Sequence, residues 1–86
     1  MKTTPTLAGL NAFVAVMRYG SVTAAAQHLN TSQPALSRLV AGCEADLGVE
    51  LFRRARKRLI PTPAAERFLG EAERFLASHS DLSQMA

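Results

Sequence analysis

One stretch, Ser21 to Ala41 (S-V-T-A-A-A-Q-H-L-N-T-S-Q-P-A-L-S-R-L-V-A), constrains the possible folds of this chain more than any other. It reads as two short helices joined by a tight turn. The first spans about Val22 to Leu29, because three consecutive alanines carry no propensity cost. Ser21, following Gly20, is placed to accept an orphan backbone N–H as its cap. Asn30 stands where the chain must turn, and asparagine tolerates the left-handed conformation better than most residues. Ser32 caps the second helix, and Pro34 falls in a first turn where its missing N–H would have had no partner. Ala26, Leu29, Leu36 and Leu39 lie where two steeply crossed helices need one small residue and three apolar anchors. Ser32, Gln33, Ser37 and Arg38 then face outward, with side chains suited to base edges and phosphates. The pattern is that of a helix-turn-helix. The plainer alternative is a helical hairpin with a solvated outer face.

The flanking segments extend this unit. Thr4 and Pro5 read as the cap and first turn of a helix reaching about Tyr19, with Leu7, Leu10, Phe13, Val14 and Met17 as its buried face and Gly20 as its stop. The third helix runs from Ser32 to about Leu47 and stops at Gly48; Leu36, Leu39, Val40, Cys43 and Leu47 form its inward stripe. Gly42 in its middle costs about 1 kcal/mol against alanine, which points to a close helix crossing there. Beyond Val49 the period changes. Val49, Leu51 and Phe52 precede a basic run, and Leu59 and Ile60 follow it, as in a small hairpin with a charged tip, a wing. Thr62 and Pro63 open a last helix whose Phe68, Leu69, Ala72, Phe75 and Leu76 recur near heptad spacing. That stripe fits a cover for the helical core, but the first three helices and the wing are expected to close a core by themselves, which favours burial of the stripe against a second copy. Two-fold symmetry would match a palindromic site. The fold class is thus mainly α: a winged helix-turn-helix with three helices and a small β wing over residues 1–61, then a long linker and dimerisation helix over 62–86.

Charge sharpens the functional reading. The 86 residues carry a net +3. Residues 1–52 balance Lys2, Arg18 and Arg38 against Glu44, Asp46 and Glu50, and residues 59–86 are net acidic. The excess therefore sits in Arg53, Arg54, Arg56, Lys57 and Arg58, a compact patch of the kind that attracts phosphate backbones in a salt-dependent way. Taken alone, a charge run fits a solvated loop as well; beside a recognition helix it fits a wing at the minor groove or the phosphates. No apolar run reaches the roughly 20 residues of a membrane span, and no signal-peptide pattern opens the chain. Cys43 is single, so it has no internal disulfide partner, and it reads as a core residue. These features fit a cytoplasmic protein.

Several ordered motifs carry a resemblance. They are Leu10-x-x-Phe13, Gly20-Ser21, Ala25-Ala26-x-x-Leu29, Ser32-Gln33-Pro34-Ala35-Leu36-Ser37-Arg38, Glu44-x-x-Leu47-Gly48-x-x-Leu51-Phe52-x-Arg54 and Thr62-Pro63-Ala64. Over residues 7 to about 76 the chain resembles the N-terminal domain of LysR-type transcriptional regulators. The resemblance implies a winged helix-turn-helix that binds double-stranded DNA and a linker helix that pairs two subunits, with two or four subunits in the assembled regulator. It also implies a C-terminal domain sensing a small-molecule effector, absent here, so the chain is expected to be an excised DNA-binding domain. Carried over residue by residue, Gln33, Pro34 and Arg38 match positions that meet base edges, and Ser32 and Ser37 match positions that fix the DNA backbone. Thr23 and Thr31 are phosphate-contact candidates. Arg54 matches the arginine before the wing, and Arg56, Lys57 and Arg58 occupy its tip. The chain departs from the family pattern at Cys43, Pro61 and Ala65, where Leu, an apolar strand residue and Gly are usual.

A rival class is a helical interaction module whose basic patch meets an acidic protein. An enzyme fits least: His28 and His79 have no Cys, Asp or Glu at ligand or triad spacing, so no catalytic residue, metal site or cofactor is assigned.

Overall fold

Each helix begins where a hydroxyl accepts an orphan N–H. The computed structural model describes the backbone of residues 4–56 and 58–85, and the side chains of that range through Ser78. Thr6 accepts from the Gly9 N–H at 3.0 Å and opens α1 (Leu7–Tyr19). Ser21 accepts from Ala24 at 3.0 Å and opens α2 (Val22–His28); Ser32 accepts from Ala35 at 3.2 Å and opens α3 (Gln33–Leu47). Thr62 does the same for Ala65 at 3.2 Å ahead of α4 (Pro63–Met85). The caps at Ser21, Ser32 and Thr62 are those the spacing predicts. The first is not: Thr6, two residues after Thr4, holds the cap, and Pro5 precedes the helix. Gly20 and Gly48 end α1 and α3 in the left-handed region (φ 77° and 73°), where a Cβ would be strained. α2 ends a residue early with Leu29 as its cap, and Asn30 makes the turn at φ 57°.

Phe13, fully buried, is the centre of the core. Its ring lies 5.8 Å from that of Phe52 and 5.4 Å from that of Phe68, so α1, the wing and α4 meet at one side chain. Leu10, Val14, Val16, Leu36, Val40, Cys43 and Leu51 pack around it, and Ala25 and Ala26 back α2 onto α1. The buried side of α1 is wider than the periodicity suggested, because Gly9, Ala12, Ala15 and Val16 are also covered. α1 contacts the three other helices, which requires small residues on several sides. Leu7 is instead 44% exposed, at the first turn of the helix. The close crossing expected at Gly42 is not there: a Cβ on Gly42 would meet nothing within 4 Å. It lies at Gly9, where a Cβ would stand 3.4 Å from the Leu39 carbonyl oxygen and 3.5 Å from the Cys43 Cβ.

The wing is a two-stranded antiparallel hairpin, β1 (Phe52–Ala55) and β2 (Arg58–Pro61), with Arg53 opposite Ile60 and Arg54 opposite Leu59. Ala55 pairs with Arg58, and Arg56 takes φ 59° in the turn that follows Ala55. Pro61 ends β2, a position where the missing N–H breaks no inner ladder bond.

The first three helices and the wing do not close the core alone, contrary to the expectation above. Ala65 and Ala72 of α4 are fully or almost fully buried, and Phe68, Leu69 and Leu76 pack half-buried on the same core. Arg18 of α1 also meets Glu73 of α4 at 3.2 Å, an exposed ion pair of small energetic weight. The start of α4 is thus part of the winged unit and not a spacer that follows it. No helix among the described residues is long and apolar enough to cross a membrane.

Cys43 is a packing residue, as the stripe predicts. Burial, with the Asp46 and Glu44 charges adding to it, pushes its thiol from 9.0 up to about 11. The folded state thus holds the proton more tightly than the unfolded chain. This contribution is fully present below pH 9 and is lost as pH rises towards 11. The wild-type denaturation midpoint is therefore expected to fall between about pH 8.5 and 10.5 more steeply than that of Cys43→Ala, read by urea titration at each pH.

Candidate nucleic-acid interface

The buried and exposed sides of α3 separate the way a reading helix requires. Leu36, Val40 and Cys43 are buried, which fixes the rotation of the helix on α1. Ser32, Gln33, Pro34 and Arg38 are exposed at its start, and Ala41 and Ala45 continue the open side. Pro34 and Arg38 are four residues apart, hence stacked on one face. The Ser32 hydroxyl caps the helix and holds the first turn in place, and Asn30 sets the turn before it. Ser37 departs from the expectation of an outward side chain: it is half-buried at the margin of the face. Thr23 is exposed on α2. Thr31 is half-buried, and its N–H donates to the Ala26 carbonyl at 2.9 Å, which closes the turn.

The wing places its arginines differently from a charged tip between two apolar strands. Arg54 is not before the wing but within β1, and Arg58 belongs to β2 and not to the tip. Arg56 is in the turn, and Lys57, expected there too, lies outside the described residues. Strand alternation puts Arg54 and Leu59 on one side of the hairpin and Arg53 and Ile60 on the other. Leu59 packs on the core, so its side faces inward, while Ile60 is 48% exposed. Arg53, to which the sequence assigns no role of its own, lies on that outer side and meets Glu50 at 3.4 Å. Arg54, Arg56 and Arg58 are exposed as well. Their guanidiniums are available to an anionic partner.

His28 is exposed on α2, its Nε2 3.1 Å from the Tyr19 hydroxyl; the side chain of His79 lies outside the described residues. Among the described residues no group of three or more His, Cys, Asp or Glu side chains is placed to hold a metal ion. The stripe assigned to dimerisation divides. Ala72 is only 1% exposed and is committed to its own core, which removes it as a contact residue; Phe68, Leu69 and Leu76 are partly covered; Phe75 is 41% exposed.

Residues 7–66 match the family model for bacterial regulatory helix-turn-helix proteins of the lysR family. The chain belongs to the lysR family. Among its relatives is a probable hydrogen peroxide-inducible genes activator of Mycobacterium leprae (strain TN), 42% identical over 69 residues, which cover 80% of this chain and 22% of that protein. The chain spans about a fifth of the length of the curated relatives it matches. Its fold is similar to that of the Corynebacterium glutamicum OxyR C206 mutant, with a TM-score of 0.86 and 40% identity over 94% of this chain and 26% of that one. It is also similar to the CbnR_DBD chain of a DNA complex, with a TM-score of 0.84 and 35% identity over 93% of this chain and 92% of that one. As in other lysR-family chains, the architecture is a winged helix-turn-helix.

Proposed function

We propose that this lysR-family chain is a sequence-specific, double-stranded DNA-binding domain of a cytoplasmic transcriptional regulator. The observation that carries this is the exposed group Gln33, Pro34 and Arg38 on a helix held rigidly from behind, in a fold similar along nearly its whole length to a chain solved on DNA. Arg38 suits a bidentate grip on a guanine and Gln33 suits an adenine. Ser32, Thr23 and Thr31 serve as backbone contacts, with Ser37 at the edge of the face. The wing, through Arg54, Arg56, Lys57 and Arg58, adds affinity for phosphates and the minor groove.

The unit acts as a homodimer through α4, on a palindromic site with half-sites about one helical turn apart. With Ala72 already covered, the pairing surface is the partly exposed edge formed by Phe68, Leu69, Phe75 and Leu76. Assembly into tetramers and response to a small-molecule effector belong to regions C-terminal to residues 62–86.

Selection of bound duplexes from a random pool tests the reading. Enrichment of a palindrome with half-sites about 10 base pairs apart supports it; absence of any duplex retention at low salt favours an acidic protein partner instead. A second expected outcome concerns the wing. Alanine at Arg56, Lys57 and Arg58 together flattens the plot of log K against log[salt] by roughly 0.9 for each phosphate that is no longer neutralised. An unchanged slope would reduce the patch to solubilising charge.

A further inference from the structure

The segment joining α3 to the wing is tied to one residue. The Glu44 carbonyl accepts from Gly48 at 2.8 Å and from Val49 at 3.3 Å, which ends the helix. Its carboxylate then reaches past the turn: Oε2 accepts from the Leu51 N–H at 2.7 Å and from the Phe52 N–H at 3.0 Å. Leu51 and Phe52 are buried, so these two donors have little access to water as an alternative partner. At the far side of the hairpin, Thr62 donates its N–H to the Leu51 carbonyl at 2.9 Å and its hydroxyl to the Glu50 carbonyl at 2.7 Å. The root of the wing is therefore clamped to α3 by Glu44 and to α4 by Thr62.

A carboxylate beside a basic wing opposes phosphate affinity, so its charge does not explain its place. Its geometry does. We infer that Glu44 is a positioning residue for DNA binding, whose carboxylate sets the wing at a fixed angle to α3 so that Arg56 reaches the duplex in register with Arg38. The inference rests on the wing being a DNA contact, as proposed above.

Two neutral variants isolate the acceptor. Glu44→Gln keeps an oxygen that takes both N–H groups, while Glu44→Met keeps side-chain length and helix propensity but offers no comparable acceptor. Each is measured in the wild-type chain and in a chain carrying alanine at Arg56, Lys57 and Arg58. Glu44→Met is expected to lower the salt slope almost as far as the triple wing variant does. Glu44→Gln should restore the wild-type slope, and Glu44→Met should change nothing further once the wing is neutral. If the wing variant itself leaves the slope unchanged, the wing contact fails and the inference falls with it. If the wing variant flattens the slope and Glu44→Met does not, the positioning role alone is overturned. Amide hydrogen exchange gives a readout that does not need Glu44→Met to fold. The Leu51 and Phe52 amides should be protected in the wild type and in Glu44→Gln, and exchange as fast as in exposed strand residues would overturn the clamp.

Discussion

Phe13→Ala is expected to lose about 3–5 kcal/mol of folding stability, a large fraction of what a domain of this size has. A large aromatic removed from a packed core takes its transfer energy with it and leaves a cavity. Phe13 is fully buried, and the tilted contacts to Phe52 and Phe68 add about 0.5–1.5 kcal/mol each. Against a total of roughly 4–13 kcal/mol for 86 residues, such a loss shifts the melting midpoint down by on the order of 20 °C. Thermal denaturation followed by circular dichroism checks it; a shift under about 5 °C would mean that the three-ring cluster is not the centre of the core. The consequence reaches the site. Because the same ring touches the wing and α4, its loss should loosen the hairpin relative to α3, and DNA retention should weaken even at temperatures where the helices persist.

The parts of the fold that were legible in the sequence are those decided within a few residues. Ser21, Ser32 and Thr62 sit immediately before helical segments, and a cap depends only on a hydroxyl reaching an N–H three residues on. Asn30 likewise announced its turn. The Thr4 and Thr6 choice shows the limit of that logic, since both are threonines near Pro5, and only the contact with the Gly9 N–H decides. Gly9 and Gly42 carry the same propensity cost, yet only packing reveals that Gly9 faces α3 and Gly42 faces open space.

At the candidate site, the exposed start of α3 could be read from apolar spacing, because Leu36, Val40 and Cys43 fix which side is inward. The wing was legible as a charge run between apolar pairs, but its register was not. No Asn-Gly or Gly-Gly turn marks it, and Arg56 adopts the left-handed conformation that those residues would have signalled. Glu44 was visible as part of a motif without a role. Its bonds to Leu51 and Phe52 span a helix end and a turn, a relation with no local signature. The α4 stripe shows the same difficulty: heptad-like spacing does not distinguish an apolar face that covers its own core from one that pairs with another chain.

Arg38→Ala is the second large expected effect, and it bears on function with little effect on folding. Arg38 is exposed and takes no part in the buried face of α3, so its removal should leave the melting midpoint nearly unchanged. A bidentate arginine–guanine pair discriminates by about 1–3 kcal/mol, or roughly 5- to 150-fold. The decisive quantity is the ratio of Kd for a scrambled duplex to Kd for the duplex selected from the random pool, measured at one salt concentration for wild type and Arg38→Ala. With Arg38 on a base edge in the major groove, that ratio should drop by about 5- to 150-fold while scrambled binding and its salt slope change little. Equal weakening on both duplexes, with the ratio preserved, would contradict base reading by the start of α3.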